Sequence, residues 1–326
     1  MFCIISNNTD PYFNLAAEEY FFKEFKEDIF MLWQSEPAVI VGKHQNTLAE
    51  INYNYVKNNN IKVARRLSGG GTVYHDLGNI NFTFIINGKE DQLVNFKRFI
   101  EPVLKVLHDL SVNAEFKGKN KIMVNNRKIS GNAEHIFRER VLHHGTLLFN
   151  SQLDILNESI RVTPGRYRDK AVKSKRGMVT NIEEYLQSGI NILDFRALLL
   201  KHIVTNYHNP VIYKLSNKDI EKISTLVKEK YSTWEWIYGY SPKYSLDCIY
   251  KTDIQDILFR IFVEDGIIKD VDVKGIYINE KILLELPGLI KGVPHRESDL
   301  KEKTDKISEL LSISKAEADK LIDSMF

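Results

Sequence analysis

Alternating and clustered apolar positions divide the start of the chain into predicted elements. Asp10 followed by Pro11 is typical of a helix start, with Asp as the N-cap and Pro at the first helical position. Apolar residues at roughly helical spacing continue this helix to about Phe25. Ile29–Trp33 and Ala38–Val41 are apolar runs of strand length on either side of a Ser-Glu-Pro turn. The pattern therefore predicts one helix and then two strands.

The same two periodicities continue along the rest of the chain. Strands are predicted at 79–86, 141–149, 245–251 and 267–273, with a hairpin at 122–129; helices are predicted at 96–110, 194–207, 217–229, 298–311 and 314–324. The last helix has Ser314 and Glu317 in the positions of a capping box. The aromatic segment at 234–242, which contains turn residues, predicts a domain boundary just after it.

Three consecutive glycines, Gly69 to Gly71, lie between two β-rich stretches and follow Arg65 and Arg66. Glycine allows backbone conformations and close ligand approach that other residues prevent, and arginine forks suit phosphate or carboxylate. The stretch is not a P-loop, because no Gly-Lys-Ser/Thr follows. It predicts a cradle for a nucleotide or an acyl-adenylate; the alternative is a bulged hairpin in which glycine only relieves strain.

Two other stretches are candidates for a site. Lys128, next to Ser130 and Gly131 at a predicted strand end, could hold an anionic centre as a point charge, although a lysine there is more often solvated. The pair His143-His144 has no third ligand at metal spacing, so packing or a hydrogen-bonded role is favoured over zinc. The segment 164–176 has six basic residues and one acidic residue, which is typical of a solvated loop but also suits a phosphate-bearing ligand.

Composition limits the possible function classes. A chain of 326 residues is long enough for about two domains, and its net charge of +2 argues against bulk nucleic-acid binding. Cys3 and Cys248 lack metal-ligand spacing and imply no disulfide framework, as in a reducing compartment. No stretch approaches transmembrane length and no signal-peptide pattern is present, so we expect a cytoplasmic protein without a membrane partner.

Taken together, these motifs resemble the lipoate–protein ligase A family of the biotinyl/lipoyl protein ligase superfamily, over nearly the whole chain. The family's motifs are matched in order by Gly42 to Asn46, by Arg65 to Asn79, by Lys128 to Ala133 and by His143 to Leu148, and the aromatic feature is similar at Trp236 to Pro242. One such motif would be a weak signal, whereas four in the family's order are a strong one.

The resemblance implies an α/β fold with a mixed-sheet, biotinyl/lipoyl ligase-like catalytic domain at 1–244 and a small α/β C-terminal accessory domain at 245–326. It implies an enzyme that activates lipoate with ATP to lipoyl-AMP and transfers the lipoyl group to a lysine of a carrier domain. The implied substrates and cofactors are ATP, lipoate and Mg²⁺. The implied partners are lipoyl carrier domains, either dehydrogenase E2 subunits or the glycine-cleavage H protein.

The resemblance also implies the site residues. Lys128 is the implied catalytic residue, and no protein metal ligand is predicted. The implied substrate- and nucleotide-binding residues are Arg66, Ser68, Gly69, Gly70, Gly71, Thr72, Val73, Tyr74, His75, Asn79, Gly131, His144 and Gly145. Lys121 stands where the family usually has the carboxylate that helps to hold Mg²⁺, so the sequence leaves the Mg²⁺ requirement open. The segment 174–181 lacks the second arginine that is common in the family's adenylate loop.

Two other functions stay open. An ATP-independent amidotransferase of the same fold would move lipoyl or octanoyl groups between carrier proteins. Its cysteine-dependent form is disfavoured, because neither Cys3 nor Cys248 falls in a motif. A non-catalytic protein that only holds lipoylated carriers is the less favoured possibility, since Lys128 is retained.

Overall fold

The structure, a computed structural model, describes residues 1–88, 94–187, 189–251, 256–274 and 280–326. The strands are β1 Phe2–Ile5, β2 Ile29–Trp33, β3 Ala38–Val41, β4 Lys62–Arg65, β5 Val73–His75, β6 Asn79–Asn87, β7 Glu115–Lys117, β8 Lys121–Val124, β9 Arg127–Phe137, β10 Arg140–Leu148, β11 Tyr167–Asp169, β12 Val211–Ile212, β13 Tyr244–Lys251, β14 Asp256–Glu264 and β15 Ile267–Lys274. The helices are α1 Pro11–Glu24, α2 Tyr53–Asn58, α3 Phe96–Asp109, α4 Leu153–Ser159, α5 Ile192–Asn206, α6 Asn217–Leu226, α7 Glu280–Ile290, α8 Glu297–Lys301, α9 Thr304–Leu311 and α10 Lys315–Asp323. None of these described helices combines the length and the apolar character needed to cross a membrane.

The chain divides into two compact units. The first comprises residues 1–43, 59–160 and 174–233, and the second comprises 44–58, 161–173 and 234–326. The boundary at 244/245 that the sequence predicts stays a prediction.

The first unit is built on an eight-stranded mixed sheet in the order β12-β1-β2-β6-β10-β9-β8-β7. β1 pairs in parallel with β2 and β12, and the remaining neighbours are antiparallel. Phe99 of α3 and Phe195 of α5 belong to the apolar core on one face of this sheet. Helix α1 begins at Asp10, whose side chain accepts hydrogen bonds from the amides of Tyr12 and Phe13, and it packs against β6 and β10. The apolar core of the first unit therefore lies between the eight-stranded sheet and helices α3 and α5.

A separate three-stranded sheet in the first unit carries the glycine stretch. Its order is β4-β3-β5, with β4 parallel and β5 antiparallel to β3. Since β4 and β5 pair with β3 and not with each other, the glycines connect two outer strands of this sheet. The bulged-hairpin alternative is therefore wrong.

The second unit has its own sheet and core. Its four-stranded sheet has the order β11-β13-β14-β15 and is antiparallel throughout. Apolar residues of α7, α8, α9 and α10 join this sheet in one buried cluster. Phe326 belongs to the cluster, and its ring stacks on His295 with centroids 4.7 Å apart. This unit therefore has an independent hydrophobic core.

The α/β class and the mixed sheet are confirmed, and the structure corrects the prediction locally. The helix predicted at 298–311 is two helices, α8 and α9, separated by a turn at Glu302 and Lys303. The strand of Lys128 does not end at Ser130, because pairing with β10 continues it to Phe137. The basic segment is not entirely loop, because β11 pairs with β13. Strand β14, which the pattern did not predict, completes the second sheet. The capping box at Ser314 is confirmed.

Candidate active site

The glycine stretch has the geometry of a ligand-binding loop. Gly70 has φ +91°, a conformation that strains any residue with a side chain, and a Cβ built on it would lie 4.0 Å from the Cβ of Ala133 in β9. Within the described chain, the amides of Gly69, Gly70 and Gly71 have no hydrogen-bond acceptor. Backbone amides without an intramolecular acceptor are available to donate to a bound anion. The loop therefore lies over β9 with three donors available.

The two arginines before the loop support it from inside. Arg66 donates from Nη2 to the carbonyls of Gly69 and Gly71 at 2.7 and 2.8 Å and from Nη1 to that of Ile40 at 3.1 Å. Burial lowers the pKa of Arg66 to about 10. Arg65 donates to the carbonyls of Gly42 and Lys43. The guanidinium groups thus fix the shape of the loop, a role that the sequence does not reveal.

Ser68, just before the glycines, is one end of a buried hydrogen-bonded chain. Its Oγ lies 2.6 Å from His144 Nε2, and His144 Nδ1 lies 3.0 Å from Glu18 Oε2. Thr83 donates to Glu18 Oε1 at 2.5 Å and is itself reached by Trp33 Nε1. A carboxylate oxygen accepts, so Nδ1 of His144 donates to Glu18, and Nε2 shares a hydrogen bond with the Ser68 hydroxyl. Helix α1 is thereby linked to the glycine loop.

Lys128 lies on the same face of β9 as Gly131 because of a β-bulge. Residues three apart in a regular strand point to opposite faces. The pairing register shifts here, so that Ile122 pairs with Ser130 while Met123 pairs with Lys128. A Cβ on Gly131 would lie 2.6 Å from Lys128 Nζ. The bulge thus directs the amine toward the face covered by the glycine loop.

The Lys128 amine has no counter-ion within the described part of the chain. Its pKa is lowered to about 8, first by burial and then by the positive charges of Lys121 and Arg66. The backbone of Lys128 is held by the segment 178–180, since its amide donates to the Met178 carbonyl at 2.9 Å and its carbonyl accepts from the Thr180 amide at 3.1 Å. A bound anion would raise the pKa of Lys128 and act as its counter-ion.

His143 lies on the opposite face of the sheet from His144. Its ring stacks on Phe99 at 4.8 Å, its Nδ1 lies 2.9 Å from Glu134 Oε1, and its Nε2 lies 3.3 Å from Asn132 Oδ1. The hydrogen-bonded role predicted for the histidine pair is confirmed for both rings. Gly145 also faces this side, because a Cβ there would lie 2.2 Å from Asn132 Oδ1. Its lack of a side chain serves packing on the side away from Lys128.

The remaining predicted residues extend the site along β5 and β6. Thr72 donates from its amide to Ser174 Oγ at 2.9 Å, which ties the end of the glycine loop to the segment after residue 173. Val73 and Tyr74 belong to β5. His75 is buried with neither ring nitrogen bonded within the described residues, and burial, then Arg66 and His144, lower its pKa to about 3. Its neutral ring faces the same polar interior as His144.

Asn79, the first residue of β6, is also buried. It donates from Nδ2 to Asn81 Oδ1 at 2.9 Å, while its own Oδ1 has no partner among the described residues. Asn81 and Thr83 alternate with apolar residues on β6, so the three polar side chains lie on one face of the strand. This polar row continues the interior that contains His144.

Glu18 is the functional candidate that the sequence prediction missed. Glu18 is a charged residue in the otherwise apolar stretch from Leu15 to Phe22, and it is only 2% exposed. The next residue, Glu19, is equally buried and binds Lys23 and Lys230. Two carboxylates inside an apolar helix are the available signal, because buried charges require partners. The described residues contain no group of three or more His, Cys, Asp or Glu side chains placed to hold a metal ion.

Comparison with known proteins agrees with this geometry. Residues 10–204 match the family model for the lipoyl protein ligase A/B catalytic domain. The chain is 41% identical to the lipoate–protein ligase LplJ of Bacillus subtilis, over 90% of this chain and 89% of that protein. Among solved structures, it is similar to P. falciparum LipL1 in complex with lipoate, with 26% identity, a TM-score of 0.61, and coverage of 99% of this chain and 98% of that one. It is also similar to a lipoate–protein ligase A bound with ATP, with 26% identity, a TM-score of 0.62, and coverage of 73% and 98%.

Proposed function

We propose the chemistry of this site from a premise that the comparisons establish: the chain belongs to the lipoate–protein ligase family. It is an enzyme of this type, and its reaction is the ATP-dependent attachment of lipoate to a protein. The two steps of that reaction are assigned to residues of this chain from the contacts and charges of the site.

In the first step, a carboxylate oxygen of lipoate attacks the α-phosphorus of ATP. The bond from this phosphorus to the bridging oxygen breaks, pyrophosphate leaves, and lipoyl-adenylate is formed. In the second step, a lysine amine of the carrier attacks the acyl carbon. The bond from acyl carbon to phosphate oxygen breaks, AMP leaves, and the amine loses a proton as the amide forms.

The unpaired amine of Lys128 is the observation that carries this proposal. In the first step two anions must approach each other, and a preorganised cation between them reduces their repulsion. In the second step the same charge stabilises the departing AMP. The lowered pKa of about 8 is that of the enzyme without ligand, and a bound anion favours the charged amine. We therefore assign Lys128 to both steps.

The glycine loop is proposed to hold the adenylate phosphate. The amides of Gly69, Gly70 and Gly71 supply donors, while Arg66 fixes the loop by binding its carbonyls. Ser68 and His144 position the start of the loop, and the polar atoms of His75 and Asn79 line the adjoining interior. Thr72, Val73 and Tyr74 directly follow the loop and are proposed to form the adjoining edge of the nucleotide-binding site. Gly131 leaves room for the Lys128 side chain, and Gly145 contributes by packing.

The acceptor is a lipoate-accepting protein, and we propose that its lysine belongs to a lipoyl carrier domain, either of a dehydrogenase E2 subunit or of the glycine-cleavage H protein. The requirement for Mg²⁺ stays a prediction, and no step is assigned to the metal, because the described carboxylates and histidines form no cluster of three. The cytoplasmic location inferred from the sequence also stays a prediction.

The test is lipoylation of an apo carrier domain with free lipoate, with and without Mg-ATP, beside a reaction that receives a lipoylated donor protein instead. We expect lipoylation and pyrophosphate release only with lipoate and ATP. Transfer from the donor without ATP would instead support the amidotransferase. Neither cysteine offers a reactive thiolate for that route, since both are buried and burial raises the pKa of Cys3 and takes that of Cys248 to about 12.

A further inference from the structure

We propose that Lys121 is a second phosphate-binding residue: together with Lys128 it forms a pair of lysines that holds the phosphate groups of the nucleotide. This inference rests on the ligase function proposed above. It adds a residue of this chain to the machinery that binds ATP and pyrophosphate.

The first argument is the register of the hairpin. Lys121 is paired directly with Gly131 across β8 and β9. Side chains of directly paired residues in antiparallel strands leave the sheet on the same face, with Cβ atoms about 4.5–5.5 Å apart. The space that a Gly131 side chain would fill contains Lys128 Nζ, 2.6 Å from the built Cβ. Lys121 therefore begins beside the Lys128 amine, on the same face of the sheet.

The second argument is charge. Within the described chain neither lysine has a hydrogen bond or an ion pair from its amine, whereas Lys117, at the other end of the same turn, pairs with Glu115 at 2.6 Å. The positive charge of Lys121 also contributes to the lowered pKa of Lys128, so the two amines repel each other across this face. Two adjacent, partly buried cations without a counter-ion raise the free energy of the site until an anion binds.

The third argument is that the turn carrying Lys121 is fixed from the opposite face. Asn120 donates from Nδ2 to the carbonyl of Asn132 at 2.8 Å, and Asn132 donates from its amide to the carbonyl of Asn120 at 2.9 Å. Asn132 is in turn held by His143. The residue before Lys121 is thus anchored to the buried network behind β9, which defines where the Lys121 side chain leaves the strand.

The test compares Lys121→Ala with Lys119→Ala, which removes the same charge from an exposed position in the same turn. Binding of ATP and of inorganic pyrophosphate is measured by calorimetry, and adenylation by lipoate-dependent pyrophosphate exchange. For Lys121→Ala we expect about 10-fold weaker binding of both ligands, with a smaller salt dependence. Lys121→Arg should retain most of the affinity, and Lys119→Ala should bind as the wild type does.

Equal binding by Lys121→Ala and Lys119→Ala would overturn the proposal, as would an equal loss with Lys121→Arg and Lys121→Ala. A lowered melting temperature of Lys121→Ala would identify a folding defect in that variant. In that case the binding of Lys121→Arg, compared with that of the wild type, decides the proposal. The pyrophosphate measurement separates this inference from the proposed function. A wild type that binds pyrophosphate through Lys121 but performs no ATP-dependent lipoylation would retain the lysine pair and refute the ligase assignment.

Discussion

His143 and His144 are consecutive residues of β10, yet their rings lie on opposite faces of the eight-stranded sheet, and each contacts a different buried glutamate. His144 joins Glu18 to Ser68 at the glycine loop. His143 joins Glu134 to Asn132, which anchors the turn before Lys121. One short segment of β10 thus positions two loops of the site, one from each face.

The Glu18 chain leads to a prediction about activity. Glu18→Gln keeps the size of the side chain but removes the charge that holds the proton on His144 Nδ1, so Ser68 loses its fixed orientation. We expect adenylation to fall about 10-fold, since hydrogen bonds to charged groups contribute about 1.5–3 kcal/mol. Ser68→Ala should lose a similar amount, and the double variant no more than the single ones, because both act through one chain.

Glu19→Gln is the matched control. Glu19 is as buried as Glu18, but it binds Lys23, Lys230 and Tyr231, away from the glycine loop. The Glu19→Gln variant should have a lower melting temperature than the wild type and the same turnover. Independent, additive losses from Glu18→Gln and Ser68→Ala would show that the two residues do not act as a unit.

The Glu134 network leads to a prediction about pH and stability. Asn132 Oδ1 is an acceptor, so His143 Nε2 carries a proton; burial holds the pKa of His143 well below its ordinary value, so the ring is neutral and Nδ1 must accept. The proton between Nδ1 and Glu134 then belongs to Glu134. This agrees with burial raising the pKa of Glu134 from 4.5 to about 7.

A carboxyl group whose pKa is raised on folding stabilises the folded state below the unfolded pKa, and this contribution is lost as the pH rises through the folded pKa. The window for Glu134 is therefore about pH 4.5 to 7. Glu134→Gln mimics the protonated acid, so its melting temperature should match the wild type near pH 5 and exceed it by about 2 °C or more at pH 8. Calorimetric scans at both pH values test this, and a difference that does not change with pH would contradict it.

Much of the fold could be predicted from the sequence because the signals that start helices and form turns come from neighbouring residues. The Asp10-Pro11 start of α1 and the Asn125-Asn126 turn both depend on neighbouring residues, and both asparagines have the positive φ that the turn requires. The site is less local. A bulge turns Lys128 toward Gly131, and the partner of His144 is distant in sequence, on α1. Such relationships depend on register and packing, which periodicity does not encode.

Two glycines of the predicted site should respond differently to the same substitution. Gly70 is exposed and has φ +91°, with Arg66 as the nearest group to an added Cβ, so Gly70→Ala distorts the loop. We expect lipoate and ATP binding to fall about 10-fold, with a small loss of stability. Gly145→Ala places a Cβ 2.2 Å from Asn132 Oδ1 and should destabilise the protein by about 1–3 kcal/mol. Urea unfolding measures the loss of stability, and ligand titration measures the loss of binding. If Gly70→Ala mainly reduced stability and Gly145→Ala mainly reduced binding, the glycine loop would have a structural role.

Limited proteolysis tests the predicted accessory domain at 245–326. We expect the first cuts within 241–246, because a linker exposes backbone that is not protected by packing. The last of the three segments of the second compact unit begins earlier, at Trp234, and Tyr244 already lies in the core cluster of that unit. Mass spectrometry of the first fragments decides between the two positions, and uniform resistance across 230–250 would argue for one fused domain.

Lys128→Ala is the most direct test of the chemistry. The amine has no partner within the described residues, so its removal breaks no contact and should leave the melting temperature unchanged or slightly raised. Carrier lipoylation should nevertheless fall by about 10²–10³, the usual effect of losing one preorganised electrostatic contact. Lys119→Ala, which removes an exposed lysine from the turn between β7 and β8, should retain wild-type turnover. Because the same charge serves both steps, supplying synthetic lipoyl-adenylate should restore little activity, whereas full rescue would confine Lys128 to adenylation. Wild-type turnover of the variant in both half-reactions would refute its assignment as the catalytic residue.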